Sequence, residues 1–239
     1  MSTLGEHTPF LKLVERLDHY GVPWWLDQGT LLGLVRDDRL IESDHDIDLG
    51  VWAADFNPYR HAIASDLRSE GFRVKARYRH TFGMRDREYR FREVNIAIFT
   101  RVGNIARKKV TRPPSVYRQP RRSAITGLRS LVKVGYESAD DILPGSKQYR
   151  MARVLERILP RFALRTLGLT ARGGLHIIDR KMRMDCDAAY FDTRSTLQHD
   201  GLTLPVPSNA EDYLELKYGA GWKTPDDSWE YWKQDGAIQ

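Results

Sequence analysis

The sequence is poor in cysteine, with Cys186 as the single thiol in 239 residues. One thiol excludes an internal disulfide and any zinc site built from cysteines. It fits a reducing compartment, so we predict a cytoplasmic protein. Long apolar runs are also missing, because Glu6, Lys12 and Glu15 interrupt the first stretch that reads as a helix. We therefore predict neither a signal peptide nor a membrane-spanning helix.

Acidic residues are absent from the segment 101–133, which carries ten Lys/Arg in a chain of net charge +6. Such a block favours a polyanionic partner, which can be a nucleic acid, an anionic lipid surface or a phosphate-rich substrate. An ordinary solvated basic loop is the alternative interpretation. Tyr117 is the one aromatic residue in the block, so a base-stacking surface for nucleic acid is not predicted.

The hydrophobic pattern predicts a globular α+β fold. Helix-like and strand-like segments alternate up to residue 71, and three strand-like runs follow, which is typical of helices around a small mixed sheet. A helical period returns over 147–168, where Pro160 should split the helix. We predict that this helix packs in a core. The alternative is a basic amphipathic element lying on a membrane surface.

A cluster of carboxylates follows the turn-like sequence that begins at Gly29. In "GTLLGLVRDDRLIESDHDIDLGV" the residues Asp44, Asp46 and Asp48 fall within five positions. On a strand, residues two apart point the same way with Cα atoms about 6–7 Å apart, so Asp46 and Asp48 can reach one metal ion. Asp44 joins them if the strand continues backwards. A hard divalent cation such as Mg²⁺ removes the repulsion between such carboxylates.

Two other interpretations of the cluster fit less well. A calcium loop that begins at Asp44 needs a central glycine and a terminal glutamate. The sequence "DHDIDLGVWAAD" lacks a glycine at that central position and ends in Asp where the loop needs Glu. A solvated strand edge does not explain the apolar residues Ile47, Leu49 and Val51 between and after the carboxylates. The sequence therefore predicts a metal site at Asp44, Asp46 and Asp48.

Gly29 and Thr30 lie between a predicted strand and a predicted helix. Backbone N–H groups and a hydroxyl at such a helix start can hold a phosphate. Arg36, at the far end of that helix, can add a bidentate phosphate contact, and an ordinary surface arginine is an equal alternative. With the paired aspartates about seventeen residues further on, this is the layout of the nucleotidyltransferase fold.

These residues resemble the signature of the LicD-type phosphotransferases, which include the fukutin-related proteins. The family pattern is a GxLLG turn, an Arg, an Ile and a D-x-D-I/V-D run. Its counterparts in this sequence are Gly29, Leu31, Leu32, Gly33, Arg36, Ile41, Asp44, Asp46 and Asp48. A distant stretch, "GLTLPVPSNAEDYLELKYGAGWKTP", is similar to the family's closing motif. The matching positions there are Pro205, Pro207, Asn209, Tyr213, Leu214, Tyr218, Gly219 and Trp222.

The resemblance implies a nucleotidyltransferase-like mixed β-sheet flanked by helices, with a helical C-terminal part. It implies a single catalytic domain over 1–239. Its expected parts are a core in 1–100, a basic and partly helical insert in 101–175, and a closing segment in 176–239.

The resemblance also implies a reaction. A ribitol-, glycerol- or choline-phosphate group passes from a CDP-activated donor to a glycan or polymer acceptor, free or lipid-linked. Mg²⁺ or Mn²⁺ is the implied cofactor, and peripheral membrane contact through the basic segment is a further expectation. The alternatives are a nucleotidyltransferase acting on a small molecule or RNA, a nucleic-acid-binding protein, which the pattern does not favour, and a non-catalytic family member.

One position departs from the family pattern. A third Asp is expected on a later strand, and the matching run "EVNIAIF" has Ala97 there. Strand alternation puts Glu93 and Asn95 on the side of Ala97, so Glu93 is our candidate catalytic substitute beside Asp46 and Asp48. The alternative is that Glu93 is a surface residue and the base lies elsewhere, with His45 and His80 as weaker candidates.

Overall fold

The computed structural model describes residues 3–76, 81–88, 90–136, 142, 145–179 and 182–239. The chain divides into two compact units. Unit 1 comprises Met1–Lys109 and Arg183–Gln239, and unit 2 comprises Val110–Met182. The expected three-part division of a single domain stays a prediction. In the described part of the chain, no helix is both long enough and apolar enough to cross a membrane.

Strands and helices alternate through unit 1, and helices fill most of unit 2. The strands are β1 (Trp24–Leu26), β2 (Asp46–Trp52), β3 (Arg73–Lys75), β4 (Thr81–Arg85), β5 (Glu93–Val102), β6 (Ile105–Val110), β7 (Met182–Asp187), β8 (Arg194–His199) and β9 (Leu202–Pro207). The helices are α1 (Thr8–His19), α2 (Gln28–Asp37), α3 (Ala53–Phe56), α4 (Arg60–Ser69), α5 (Arg121–Tyr136), α6 (Lys147–Ile158), α7 (Arg161–Ile178), α8 (Ala189–Asp192), α9 (Ala210–Tyr218) and α10 (Tyr231–Gln234).

Among the described residues, seven strands form one mixed sheet. Its main order is β1-β2-β5-β4-β3, with β6 pairing β5 and β7, while β8 and β9 form a separate hairpin. β2 and β5 run parallel, whereas β1–β2, β4–β5 and β3–β4 are antiparallel pairs. The predicted α+β class, a mixed sheet flanked by helices, is confirmed.

Burial on β2 follows the alternation that the sequence predicts. Ile47, Leu49 and Val51 are fully buried, whereas Asp46 and Asp48 are only partly covered. The other face, which carries Asp46 and Asp48, is covered by aromatic side chains further along the strand, at Gly50.

Trp25 on β1 provides an example of that packing. Its ring stacks on Phe191 with 4.6 Å between ring centroids. It also passes so close to Gly50 of β2 that a Cβ there would lie 2.2 Å from its Nε1 atom. Ile47, Leu49 and Val51 thus anchor one face of β2 in the core, and Trp25 covers the other face at Gly50, beyond Asp46 and Asp48.

Unit 2 has its own small core. Val134, Ile142, Ala152 and Leu164 are its buried members, and Met151, Leu155 and Leu159 are among the partly buried residues packed against them. The predicted core packing of the 147–168 segment is therefore confirmed for one side of α6, whereas Val154 and Ile158 of the same helix are exposed. Pro160 separates α6 from α7, as predicted.

The helices α5 and α7 of unit 2 approach through glycines. A Cβ added to Gly135 would lie 2.5 Å from the Cα atom of Gly168. The two backbones can therefore come this close only because both positions lack a side chain.

Candidate active site

The three predicted carboxylates lie together at the start of β2. Asp44 precedes the strand, Asp46 is its first residue, and Asp48 follows on the same face. The pKa of Asp46 is raised to about 7, chiefly by burial and then by the adjacent Asp44 carboxylate, while a hydrogen bond from Asn95 acts in the opposite direction. The donor in that bond is the Asn95 Nδ2 atom, 2.7 Å from Oδ2 of Asp46. Burial, followed by the charge of Asp46, also raises the pKa of Asp48 well above its usual value.

Gly29 and Thr30 lie in the first turn of α2, directly beside the carboxylates. A Cβ on Gly29 would lie 2.2 Å from Oδ2 of Asp44, so only glycine leaves that carboxylate its place. The buried Thr30 hydroxyl accepts a hydrogen bond of 2.9 Å from the backbone N–H of Asp48. The first turn of α2 is therefore attached to the carboxylate strand. The role of both residues in phosphate binding stays a prediction.

Arg36 lies in the last turn of α2, and its guanidinium is paired with its neighbour Asp37. Its Nη2 and Nε atoms lie 2.7 Å and 3.0 Å from the two carboxylate oxygens. The hydrogen bond from Arg36, followed by its charge, lowers the pKa of Asp37. Asp37 therefore already occupies one side of the guanidinium. A phosphate contact from Arg36 stays a prediction.

Glu93 lies on β5 directly opposite Asp46, and Asn95 lies opposite Asp48. The predicted alternation along this strand is confirmed by that register. The Glu93 carboxylate forms ion pairs with Lys75, 2.6 Å away, and with Arg85. Glu93 is thus close to the metal-site candidates, but two cations already contact its oxygens.

Charge changes sign across this face of the sheet. Gly83 on β4 pairs with both Asn95 on β5 and Lys75 on β3. A Cβ on Gly83 would lie 2.9 Å from Oε1 of Glu93 and 3.0 Å from Oδ1 of Asn95, so these side chains extend over the gap that the glycine leaves. The carboxylates of β2 therefore face a basic side formed by β3 and β4, with Glu93 between them.

Ala97 pairs with Gly50 of β2 and is almost fully buried. It lies on the same face as Glu93 and has no polar atom on its side chain. Of the two histidines considered as bases, His45 is exposed next to Asp46, and His80 lies outside the described residues.

Asp27 is a buried residue of the site that the sequence did not single out. It caps α2 through the N–H of Gln28 and accepts a 2.7 Å hydrogen bond from the Tyr213 hydroxyl. Lys108 Nζ lies 3.4 Å from its other oxygen. Burial raises the pKa of Asp27, but the charges of Lys108 and Lys217 and these hydrogen bonds outweigh burial, so its pKa lies below the usual value. An aspartate just before a helix is a common N-cap, and that signal was present in the sequence.

A divalent cation requires several oxygen ligands within reach of one point. Within the described residues, no three His, Cys, Asp or Glu side chains are arranged to hold an ion as they stand. The chemistry of the ligands does fit a hard cation. Crowding and burial raise the pKa of Asp46 and Asp48, and a bound cation would stabilise their ionised form. The residues that would hold the cation are therefore Asp44, Asp46 and Asp48.

The raised pKa of Asp46 predicts a pH-dependent stability. Between about pH 4 and pH 7 the folded protein keeps a proton that the unfolded chain has lost, so the free energy of unfolding falls as pH rises through this window. Asp46→Asn removes this loss. In chelator, the difference in Tm between the variant and wild type should grow from pH 5 to pH 8 in favour of the variant. A difference that does not change with pH would contradict the assignment.

Part of the chain is similar to proteins that have already been described. Residues 21–131 match the family model described as LicD/FKTN/FKRP, nucleotidyltransferase domain. The mouse ribitol-5-phosphate transferase FKTN is 24% identical over 222 residues, covering 91% of this chain and 32% of that protein. The human protein of the same name is 22% identical over 228 residues, covering 93% and 34%. This chain thus spans about a third of the length of these curated relatives.

Among solved structures, the antibiotic-resistance factor ANT(2'')-Ia matches 71% of this chain and 92% of its own, at 14% identity and a TM-score of 0.32. A likeness this distant carries no information about chemistry. The family match is more informative, because it includes α2, β2 and β5 with the carboxylates and Glu93. Residues 21–131 thus match the model of the LicD/FKTN/FKRP nucleotidyltransferase domain, which confirms the resemblance seen in the sequence.

Proposed function

We propose that this chain is a metal-dependent phosphotransferase that moves a phosphate-linked group from a CDP-activated donor to a glycan acceptor. The observation that carries the proposal is the pair Asp46 and Asp48 on one face of β2, directly beside the first turn of α2. The family match supports a transferase. The donor, the metal and the acceptor are parts of the proposal.

In this proposal Asp44, Asp46 and Asp48 hold Mg²⁺ or Mn²⁺. The ion, when bound, would neutralise charge on the donor diphosphate and on the leaving CMP. Gly29 keeps Asp44 next to the start of α2, where backbone N–H groups favour phosphate. The carboxylates and the phosphate-binding turn then act on the same diphosphate.

Bond making requires that the acceptor hydroxyl lose a proton. As its oxygen attacks the donor phosphorus, the P–O bond to CMP breaks, and we assign the released proton to a carboxylate oxygen of Glu93. Its register next to Asp46 supports this role. Lys75 and Arg85 would orient that carboxylate and attract the anionic donor. A purely structural Glu93, which ties β3 and β4 to β5, is the alternative.

The donor is the least specified part of the proposal. Ribitol-phosphate is the first group to test, because the similar FKTN proteins are named ribitol-5-phosphate transferases. Glycerol-phosphate and choline-phosphate are the others. The single cysteine, buried and reduced, supports a cytoplasmic reaction.

A donor panel tests the function. Thermal shifts are measured with CDP-ribitol, CDP-glycerol, CDP-choline, CDP and ATP, each with Mg²⁺, Mn²⁺ or EDTA. We expect one CDP-linked donor to raise Tm only with metal, and Asp46→Ala and Asp48→Ala to abolish both that shift and transfer.

The matched control is Asp227→Ala, an exposed aspartate of unit 1, which should behave as wild type. Full transfer in EDTA or in either site variant would contradict the metal role, and a shift with ATP alone would favour a nucleotidyltransferase.

Glu93→Gln separates the two roles of that residue. If Glu93 accepts the acceptor proton, turnover should fall about 100-fold or more while donor binding by thermal shift stays near wild type. The control is Glu88→Gln, an exposed glutamate in the turn after β4, which should keep full turnover. A Glu93→Gln variant with near wild-type turnover would place the base elsewhere. A large loss of Tm together with donor binding would indicate the structural role.

A further inference from the structure

The helix α7 in unit 2 presents large apolar side chains to solvent. Phe162, Leu169 and Ile177 are 73%, 57% and 83% exposed. Their spacing of seven and eight residues places them along one side of the helix, at about 100° per residue. Leu164 and Ala171 lie on another side and are buried. α7 therefore has one apolar face in the core of unit 2 and a second apolar face in water.

Positive charge borders this exposed face. Arg165 and Arg172 are exposed, and at their seven-residue spacing they follow one flank of the apolar stripe. The helix contains no Asp or Glu in its 18 residues. A face of this composition combines hydrophobic contact area with cations on the same helix.

Unit 2 as a whole is also positively charged. Residues 110–182 contain fifteen Lys/Arg and five Asp/Glu, so their formal charge of +10 exceeds the +6 of the whole chain. Two of these acids are already bonded within the unit. Asp179 is buried against Arg129 and Tyr117, and Glu156 pairs with Arg161. The remaining charge on the surface is predominantly positive.

An anionic lipid surface fits both properties of α7. An interfacial helix buries an apolar face between acyl chains while its basic residues contact lipid headgroups. A nucleic acid would use the arginines and leave Phe162 and Ile177 in water. A second copy of the chain would bring two strongly positive units together, which is unfavourable.

We propose that unit 2 docks on anionic membranes through the exposed face of α7. Phe162, Leu169 and Ile177 enter the lipid interface, while Arg165 and Arg172 contact the headgroups. The contact is peripheral and does not depend on the proposed transfer reaction.

Vesicle co-sedimentation tests the docking. The full chain should bind vesicles of phosphatidylglycerol and phosphatidylcholine in equal parts, bind pure phosphatidylcholine weakly, and release as NaCl rises. The double variant Phe162→Ser with Ile177→Ser should reduce the partition coefficient at least tenfold. Arg165→Gln and Arg172→Gln should each reduce it about fivefold. The matched control replaces two exposed apolar residues of unit 1, Val102→Ser with Ile105→Ser, and should bind as wild type.

A fluorescent label in place of Leu169 reports insertion while Phe162 and Ile177 keep their side chains. Leu169→Cys takes an environment-sensitive label at the new thiol, since the native Cys186 is buried. Anionic vesicles should shift its emission to the blue, and neutral vesicles should not. Equal binding to both vesicle types, or an unshifted label, would overturn the proposal. So would a soluble dimer that Phe162→Ser with Ile177→Ser converts to monomers, because the face would then join two copies.

Discussion

The arrangement of the site depends on the parallel register of β2 and β5. This register places Asp46 opposite Glu93 and Asp48 opposite Asn95. A slip of one residue would turn the β2 carboxylates into the core and expose its apolar residues. The full burial of Ile47 and Leu49 opposes that slip, because exposing either side chain to water would cost about 1.5–3 kcal/mol of hydrophobic stabilisation. Core packing on one face of β2 therefore fixes the crowding of charge on the other.

The second constraint joins distant parts of the sequence. Asp27 caps α2 and binds Tyr213 of the closing segment, while Thr30 of the same helix binds the backbone of Asp48. The two sequence motifs thus meet at one helix start, although well over a hundred residues separate them. Lys108 completes the buried charge balance at Asp27. Part of the basic 101–133 segment is therefore an internal counter-ion and not a surface for polyanions.

Local patterns predicted the elements well and their contacts less well. Alternation identified β2, the face of Asp46 and the neighbourhood of Glu93, and Pro160 marked the break between α6 and α7. Gly29 and Thr30 were predicted to lie between a strand and a helix, whereas α2 already begins at Gln28, and the contact of its cap Asp27 with Tyr213 comes from the far end of the chain. The ion pairs of Glu93 were not predictable, since they depend on the non-local strand order β5-β4-β3. Periodicity alone also does not show which apolar face of α7 is buried.

The proposed function requires that the β2 carboxylates and the first turn of α2 form one divalent-metal site. Its most direct test is a Mn²⁺ titration of the chain at pH 8, followed by electron paramagnetic resonance. Wild type should bind one ion. Gly29→Ala should weaken binding about tenfold or more with little change in Tm, because the new Cβ displaces only the end of the Asp44 side chain. Equal affinity in both proteins, or no Mn²⁺ binding by wild type, would contradict a metal site at these residues.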